Sequence, residues 1–167
     1  QLDNPAYHVH NSNVPEIHMG NISFSLLLNL ASACNPDNKD ILWGFISKYD
    51  KTLNADLSPF LDVLVEYAVN YYNDFIKAHK SYREATKQEY QAILRLKEDL
   101  ENTDTKDAKQ LQNIVYQIGN DFSFELKDWF KALYEILLGQ STGPRMGSFI
   151  SLFGINETIK LIEEKIN

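Results

Sequence analysis

The sequence has few of the features that mark secreted or membrane proteins. It contains one cysteine, Cys34, so it cannot form an internal disulfide. The Leu, Ala and Ser residues around Cys34 are typical of a small buried thiol in a reducing compartment. The longest apolar runs, such as residues 24–28, are far shorter than the roughly 20 residues that span a bilayer. These absences predict a cytoplasmic protein that has no membrane partner.

Several motifs that would indicate chemistry are also missing. The sequence contains no G-x-x-x-x-G-K-[ST] phosphate loop, no G-x-G-x-x-G and no E-x-x-H. Cys34 lies in an apolar segment without a basic neighbour that would lower its pKa. We therefore predict no catalytic residue and no cofactor site in this sequence.

Three histidines near the start raise the question of a metal site. His8 and His10 would point to the same side of an extended segment, and His18 follows shortly after. No cysteine or carboxylate cluster lies nearby in the sequence to complete the ligand set. Packing or hydrogen bonding is the better interpretation, and we predict no metal site.

Positive charge is scarce overall but locally concentrated. The formal net charge is −7, which disfavours phosphate binding by the chain as a whole. Residues 77–97 nevertheless contain six basic residues against only Glu84 and Glu89: Lys77, Lys80, Arg83, Lys87, Arg95 and Lys97. This stretch is either the one basic face available to a nucleic acid or an ordinary solvated helix face.

Apolar residues recur at three- and four-residue steps along most of the chain, and no alternating strand pattern of useful length occurs. The fold class is predicted to be all-α, with about eight helices, short loops and a helix-cage or bundle arrangement. The polar segment 50–58 is a plausible boundary between a small N-terminal piece and a larger bundle.

Local signals place individual helices. A helix capped by Asn21 or Ser23 should stop at Asn35-Pro36, and an apolar stripe should follow at Ile41, Leu42, Phe45, Ile46 and Tyr49. Ser58-Pro59 should begin a helix that runs to about residue 78, and Thr86 with Glu89 forms a capping box in outline. Later helices are predicted up to a stop at Gly119-Asn120, over residues 126–138 with Gly139 past the end, over 145–153 ended by Gly154, and over about 157–166.

Residues 129–153 concentrate aromatic side chains around a Gly-Pro-Arg turn. Most of these rings should be core. Arg145 is harder to explain, because a cation at a helix start opposes the helix dipole. Its guanidinium is predicted either to present donors to an unstacked base or phosphate, or to form a salt bridge at a neighbouring helix end.

The run WFKALYEILLGQSTGPRMGSFISLFG at residues 129–154 closely resembles the C-terminal signature of class I lysyl-tRNA synthetases. It is also similar, more distantly, to the ending of glutamyl-tRNA synthetases. Further segments resemble the lysyl family in the same order: NPAYHVHN at 4–11, SFSLLLNL at 23–30, LWGFI at 42–46, AVNYYNDF at 68–75 and QNIVYQIG at 112–119.

This resemblance implies a function and a division of the chain. Residues 1–52 would be the end of a stem-contact region with adjoining helices, and residues 53–167 an α-helical cage that recognises the anticodon. The partner would be lysine tRNA rather than DNA, and the protein a monomer. The family's HIGH-type and KMSKS-type motifs are absent from this sequence, so ATP and Mg²⁺ are expected in a catalytic domain outside it, and the chain alone should be inactive.

Specific residues would serve this function. Stacking and edge hydrogen bonds to anticodon bases are expected from Trp129, Phe130, Tyr134, Arg145 and Phe149. Lys80, Arg83 and Lys87 would hold backbone phosphates.

Two other classes of function remain open at this point. An acidic helical protein-interaction module would use its aromatic stripe for a partner chain and would not bind RNA. A self-contained helical enzyme is disfavoured by the missing motifs.

Overall fold

A computed structural model describes residues 21–167. These residues form eight α-helices and no strand, which confirms the all-α prediction. The helices are α1 (Phe24–Cys34), α2 (Lys39–Tyr49), α3 (Pro59–Tyr71), α4 (Lys87–Glu101), α5 (Ala108–Asp121), α6 (Leu126–Leu133), α7 (Met146–Phe153) and α8 (Ile155–Ile166). None of these helices is long and apolar enough to cross a membrane.

The ends of the helices follow the local signals in most places. Ser23 caps α1, its Oγ accepting a hydrogen bond from the backbone N–H of Leu26 at 3.1 Å, and Asn35 ends the helix with a φ of 49°. The capping box at Thr86 and Glu89 is complete. Ser58 makes no capping hydrogen bond, so Pro59 alone marks the start of α3. Gly139 has a φ of 71°, as a helix-ending glycine requires.

Two of the predicted helices end in π-helical turns rather than in regular α-helix. After Tyr71 the chain continues as a π-helical turn, Tyr72–Ile76, and a short 3₁₀ segment, Lys77–His79. A second π-helical turn, Tyr134–Leu138, follows α6. Each π-turn alters the phase of the helix, because its hydrogen bonds span five residues instead of four.

Gly119 does not end a helix, contrary to the prediction. It lies within α5, where a Cβ would approach Cδ1 of Trp129 to 2.7 Å. The glycine is needed for this close approach of the indole and not for a turn.

The core is centred on α7, which packs against α1, α2, α5 and α8. Six of its eight residues are buried: Met146, Gly147, Phe149, Ile150, Leu152 and Phe153. A Cβ on Gly147 would lie 2.3 Å from the backbone oxygen of Ala108, so only glycine permits this contact between α5 and α7. Residues on both sides of segment 50–58 belong to the same hydrophobic core.

The buried face of α2 is rotated from the predicted stripe. Ile41 is 43% exposed, whereas Trp43 is 8% exposed. The indole N–H of Trp43 donates to Oδ1 of Asp62 at 2.8 Å, and Nζ of Lys39 contacts the other oxygen at 2.9 Å. This pairing with α3 holds Trp43 inward.

Candidate nucleic-acid interface

Arg83 lies in the basic stretch but its charge is used within the protein. Its two terminal nitrogens donate to the two oxygens of Glu89 at 2.8 and 2.9 Å, and its Nε donates to Glu135 at 2.9 Å. The guanidinium lowers the pKa of the Glu89 carboxyl below its ordinary value. A phosphate would have to displace two carboxylates, so the predicted phosphate contact by Arg83 is not supported by this geometry.

Lys80 is similarly engaged. Its half-buried ammonium donates to the backbone oxygen of Ser32 at 3.0 Å and lies 5.3 Å from the ring centres of both Tyr72 and Tyr82. Lys80 thus links the segment that follows the 3₁₀ turn to helix α1. Lys87, by contrast, is exposed at the start of α4.

The rest of the basic stretch is also largely neutralised. Arg95 pairs with Asp99 at 3.2 Å and Asp121 at 3.3 Å, and Lys97 pairs with Glu163 at 3.2 Å. The local excess of positive charge in the sequence therefore does not form a continuous basic face.

Most of the aromatic residues predicted to stack on bases lie in the core. Trp129 is fully buried, its Nε1 donates to the backbone oxygen of Val115 at 2.9 Å, and its ring stacks on Phe124. Phe149 is fully buried and stacks on Phe153. These two rings have no free face, so the stacking role predicted for them is not compatible with this structure.

Tyr134 and Phe130 are closer to the surface. Tyr134 is 6% exposed, and burial raises the pKa of its hydroxyl to about 12. Phe130 is half-buried and packs against the core. Tyr134 lies against Gly143 in the loop that precedes α7, so neither ring is fully open.

Arg145 is exposed immediately before α7. It borders a cavity of about 410 Å³ together with Lys109 and Ser148, near the first turns of α5 and α7. Within residues 21–167 no carboxylate pairs with its guanidinium. The alternative of a salt bridge is thus not seen in that part of the chain.

A larger concave surface lies elsewhere, at a position that the sequence did not predict. A groove of about 670 Å³ is bounded by α1, by residues 71–83 and by the loop Gly139–Pro144. Tyr71 and Phe75 line it with exposed fractions of 37% and 63%, and their ring centres are 5.1 Å apart.

The sequence contained a partial signal for this groove. Phe75 continues the apolar residues that recur at three- and four-residue steps along α3, yet its ring is 63% exposed, as Phe60 and Tyr67 are at 50% and 62% within the regular helix. The density of aromatic residues just before the basic stretch was the available indication, because this segment carries more large apolar side chains than one buried face can hold.

The described part of the chain contains no candidate metal centre and no activated thiol. Between residues 21 and 167 no group of His, Cys, Asp and Glu could hold a metal ion. The candidate ligands His8, His10 and His18 lie outside the described residues. Burial raises the pKa of the Cys34 thiol to about 12, so it stays protonated.

The loop at the edge of the groove contains a sequence pattern that also occurs in hydrolases. Residues 139–143 match G-x-S-x-G, which in hydrolases requires a turn from a strand into a helix. Here Ser141 is exposed in a loop that follows a π-helical turn. The pattern therefore lacks the structural context of a nucleophile.

Comparison with known proteins agrees with the family resemblance of the sequence. The lysine–tRNA ligase of Rickettsia bellii (strain OSU 85-389) is 52% identical over 172 aligned residues, which cover 98% of this chain and 32% of the ligase. The ligase of Rickettsia felis is 51% identical over 98% of the chain and 31% of its own length. The chain thus spans about one third of the length of these relatives. The sequence profile of the anticodon binding domain matches residues 49–166, and the chain belongs to this family of anticodon-binding domains.

Proposed function

We propose that this chain recognises the anticodon loop of lysine tRNA as part of a class I lysine–tRNA ligase, which joins lysine to tRNA with ATP. The observation that supports this most directly is the match of residues 49–166 to the anticodon binding domain, together with relatives that are lysine–tRNA ligases. In this proposal ATP and Mg²⁺ act in a catalytic domain outside the present sequence, and the chain itself performs no chemistry.

The geometry adds a surface suited to this task. Anticodon bases are unpaired, so proteins recognise them by stacking on flat side chains and by hydrogen bonds to base edges. The groove beside Tyr71 and Phe75 offers exposed rings next to polar loop residues. We propose that it receives an anticodon-loop base, and that Arg145 and Lys87 contact the RNA from the neighbouring surface.

We propose that the other predicted contact residues stabilise the groove and do not touch the RNA themselves. Lys80 and Arg83 shape the wall of the groove through their internal partners. Trp129, Tyr134 and Phe149 lie in the core, Phe130 packs against it, and Tyr134 also lies against Gly143 of the loop. Their effect on RNA binding would therefore be indirect.

We propose the same division of the chain, oligomeric state and location that the family resemblance implies. Residues 1–52 would contact the stem region and residues 53–167 the anticodon. The protein would act as a monomer in the cytoplasm. DNA and membranes would not be partners.

Binding of lysine tRNA at low and moderate salt, compared with the same tRNA bearing a changed anticodon, tests the function. Salt-sensitive binding that prefers the lysine anticodon is expected, because phosphate contacts give the salt dependence and base contacts the preference. Equal, salt-insensitive and weak binding of both RNAs would favour the protein-interaction module instead.

A further inference from the structure

Asn29 contains a buried amide with an unused hydrogen-bonding group. The residue lies in α1 at the base of the groove and is 2% exposed. Among the described residues its Nδ2 has no hydrogen-bond partner. Buried N–H groups in folded proteins are nearly always paired, since an unpaired one loses its hydration without compensation. The free donor therefore marks a position where a ligand would supply the missing acceptor.

The surroundings of this amide suit a flat, uncharged ligand. Leu28 and Ile76 give the groove an apolar surface beside the exposed rings of Tyr71 and Phe75. The volume of about 670 Å³ is in the range of sites that bind single small molecules.

Charge in the groove argues for a base rather than a phosphate. The guanidinium of Arg83 and the carboxylate of Glu135 both line it and pair with each other at 2.9 Å, and the ammonium of Lys80 donates to the backbone oxygen of Ser32 at 3.0 Å. The donor of Asn29 is itself a neutral amide. A neutral carbonyl oxygen is thus a better match for it than an anion, which would need an uncompensated cation.

Gly143 separates the amide from the solvent. A Cβ at this position would lie 2.4 Å from Nδ2 of Asn29 and 2.7 Å from Cε1 of Tyr134, so the loop backbone lies directly over the side chain. The loop is anchored at its start, where Gly139 accepts from the backbone N–H of Ser81 at 3.0 Å and Gln140 donates to Oγ of Ser32 at 2.8 Å. Residues 141–143 beyond these anchors are exposed, so a small outward shift of Gly143 opens the amide to the groove.

We propose that Nδ2 of Asn29 donates a hydrogen bond to the O4 carbonyl oxygen of one unpaired uracil, while the base lies against Tyr71 and Phe75. Gly143 moves aside when the base enters. This inference rests on the proposed function, because it names the chemical group that the same surface would recognise.

The test uses a short RNA hairpin with a uridine at each anticodon position, and analogues that lack the O4 carbonyl oxygen at one position each. Wild-type protein is expected to lose about tenfold in affinity for one of these analogues, the size of one hydrogen bond to a buried donor. Asn29→Asp replaces the donor by an acceptor of equal size. It should bind the parent hairpin about tenfold more weakly and no longer distinguish it from that analogue. Asn113→Asp, an exposed change of the same charge, should behave as wild type.

The hairpin experiment can contradict the role of Asn29 without contradicting the proposed function. If the hairpin binds with anticodon preference but removal of O4 has no effect at any position, or Asn29→Asp retains full discrimination, the role of Asn29 is wrong and the function stands. If the chain does not bind the hairpin, both are overturned.

A second variant covers the case in which Asn29→Asp does not fold. Phe75→Ala changes a side chain that is 63% exposed and should not unfold the protein. An abasic site at the sensitive position should weaken binding by wild type, and Phe75→Ala should add no further loss to it, because ring and base act together. Fully additive losses would overturn the placement of the base in the groove.

Discussion

The guanidinium of Arg83 joins two carboxylates that are distant in sequence, Glu89 in α4 and Glu135 in the π-turn after α6. The contact with Glu89 is bidentate, and the same carboxylate also accepts the backbone N–H of Thr86 in the capping box. One cation therefore fixes the start of α4 and the wall of the groove at the same time.

Arg83→Ala is expected to lower the free energy of unfolding by roughly 1 kcal/mol. The side chain is 38% exposed, so solvent screening limits the contribution of the ion pairs. Urea unfolding followed by circular dichroism measures the change. Lys87→Ala, at an exposed position nearby, is the control and should stay within about 0.5 kcal/mol of wild type. Equal effects of the two substitutions would contradict the role given to Arg83.

The Glu89 carboxyl makes stability depend on pH in acid. Its pKa is lowered from 4.5 in the folded state, first by the hydrogen bonds from Arg83. The stabilisation is therefore complete above about pH 4.5 and is lost as the pH falls through the lowered folded value. Glu89→Gln should be less stable than wild type at neutral pH, and the gap should narrow in acid. Urea unfolding across this range tests it, with Glu101→Gln, at an exposed position, as the control; a gap that does not change with pH would refute the linkage.

Gly147 and Gly44 form a matched pair of helical glycines with opposite expected effects. An alanine at 147 places its Cβ against the Ala108 oxygen and the Gln112 backbone nitrogen, at 2.3 and 2.5 Å, and should cost about 1–3 kcal/mol. An alanine at 44 meets nothing within 4 Å and should stabilise α2 by roughly 0.5–1 kcal/mol. Thermal unfolding of both variants checks the signs. A neutral Gly147→Ala would mean that α5 and α7 do not approach as closely as described.

Under the proposed function, Arg145→Ala is expected to weaken binding to lysine tRNA and to reduce the preference for its anticodon, because the exposed guanidinium would contact a base or phosphate. Fold stability should be almost unchanged, since no carboxylate within residues 21–167 pairs with it. Filter binding with native and anticodon-changed tRNA measures both quantities. Unchanged affinity for both RNAs would exclude a role for Arg145.

Features set by a few adjacent residues could be predicted from the sequence, and features set by distant contacts could not. The Ser23 cap, the capping box at Thr86 and the left-handed Gly139 depend on neighbours within one helical turn. The pairing of Arg83 with Glu135 joins residues 52 positions apart, so an apparently free cation in the sequence is engaged in the fold. The sequence does not show that Trp129 is a core residue rather than a contact residue, because its hydrogen-bond partner Val115 belongs to another helix.

The π-helical turns Tyr72–Ile76 and Tyr134–Leu138 both lead directly into segments that bound the groove. A π-helical turn uses about one residue more than an α-helix to complete nearly the same rotation, so deleting one residue from it would restore ordinary helical spacing and leave the chain that follows almost unrotated. For the first turn, such a deletion would change which side chains lie beside the groove while α3 kept its packing. Single-residue insertions and deletions at these two points are therefore a simple evolutionary route by which related proteins can remodel the groove without altering the helical core.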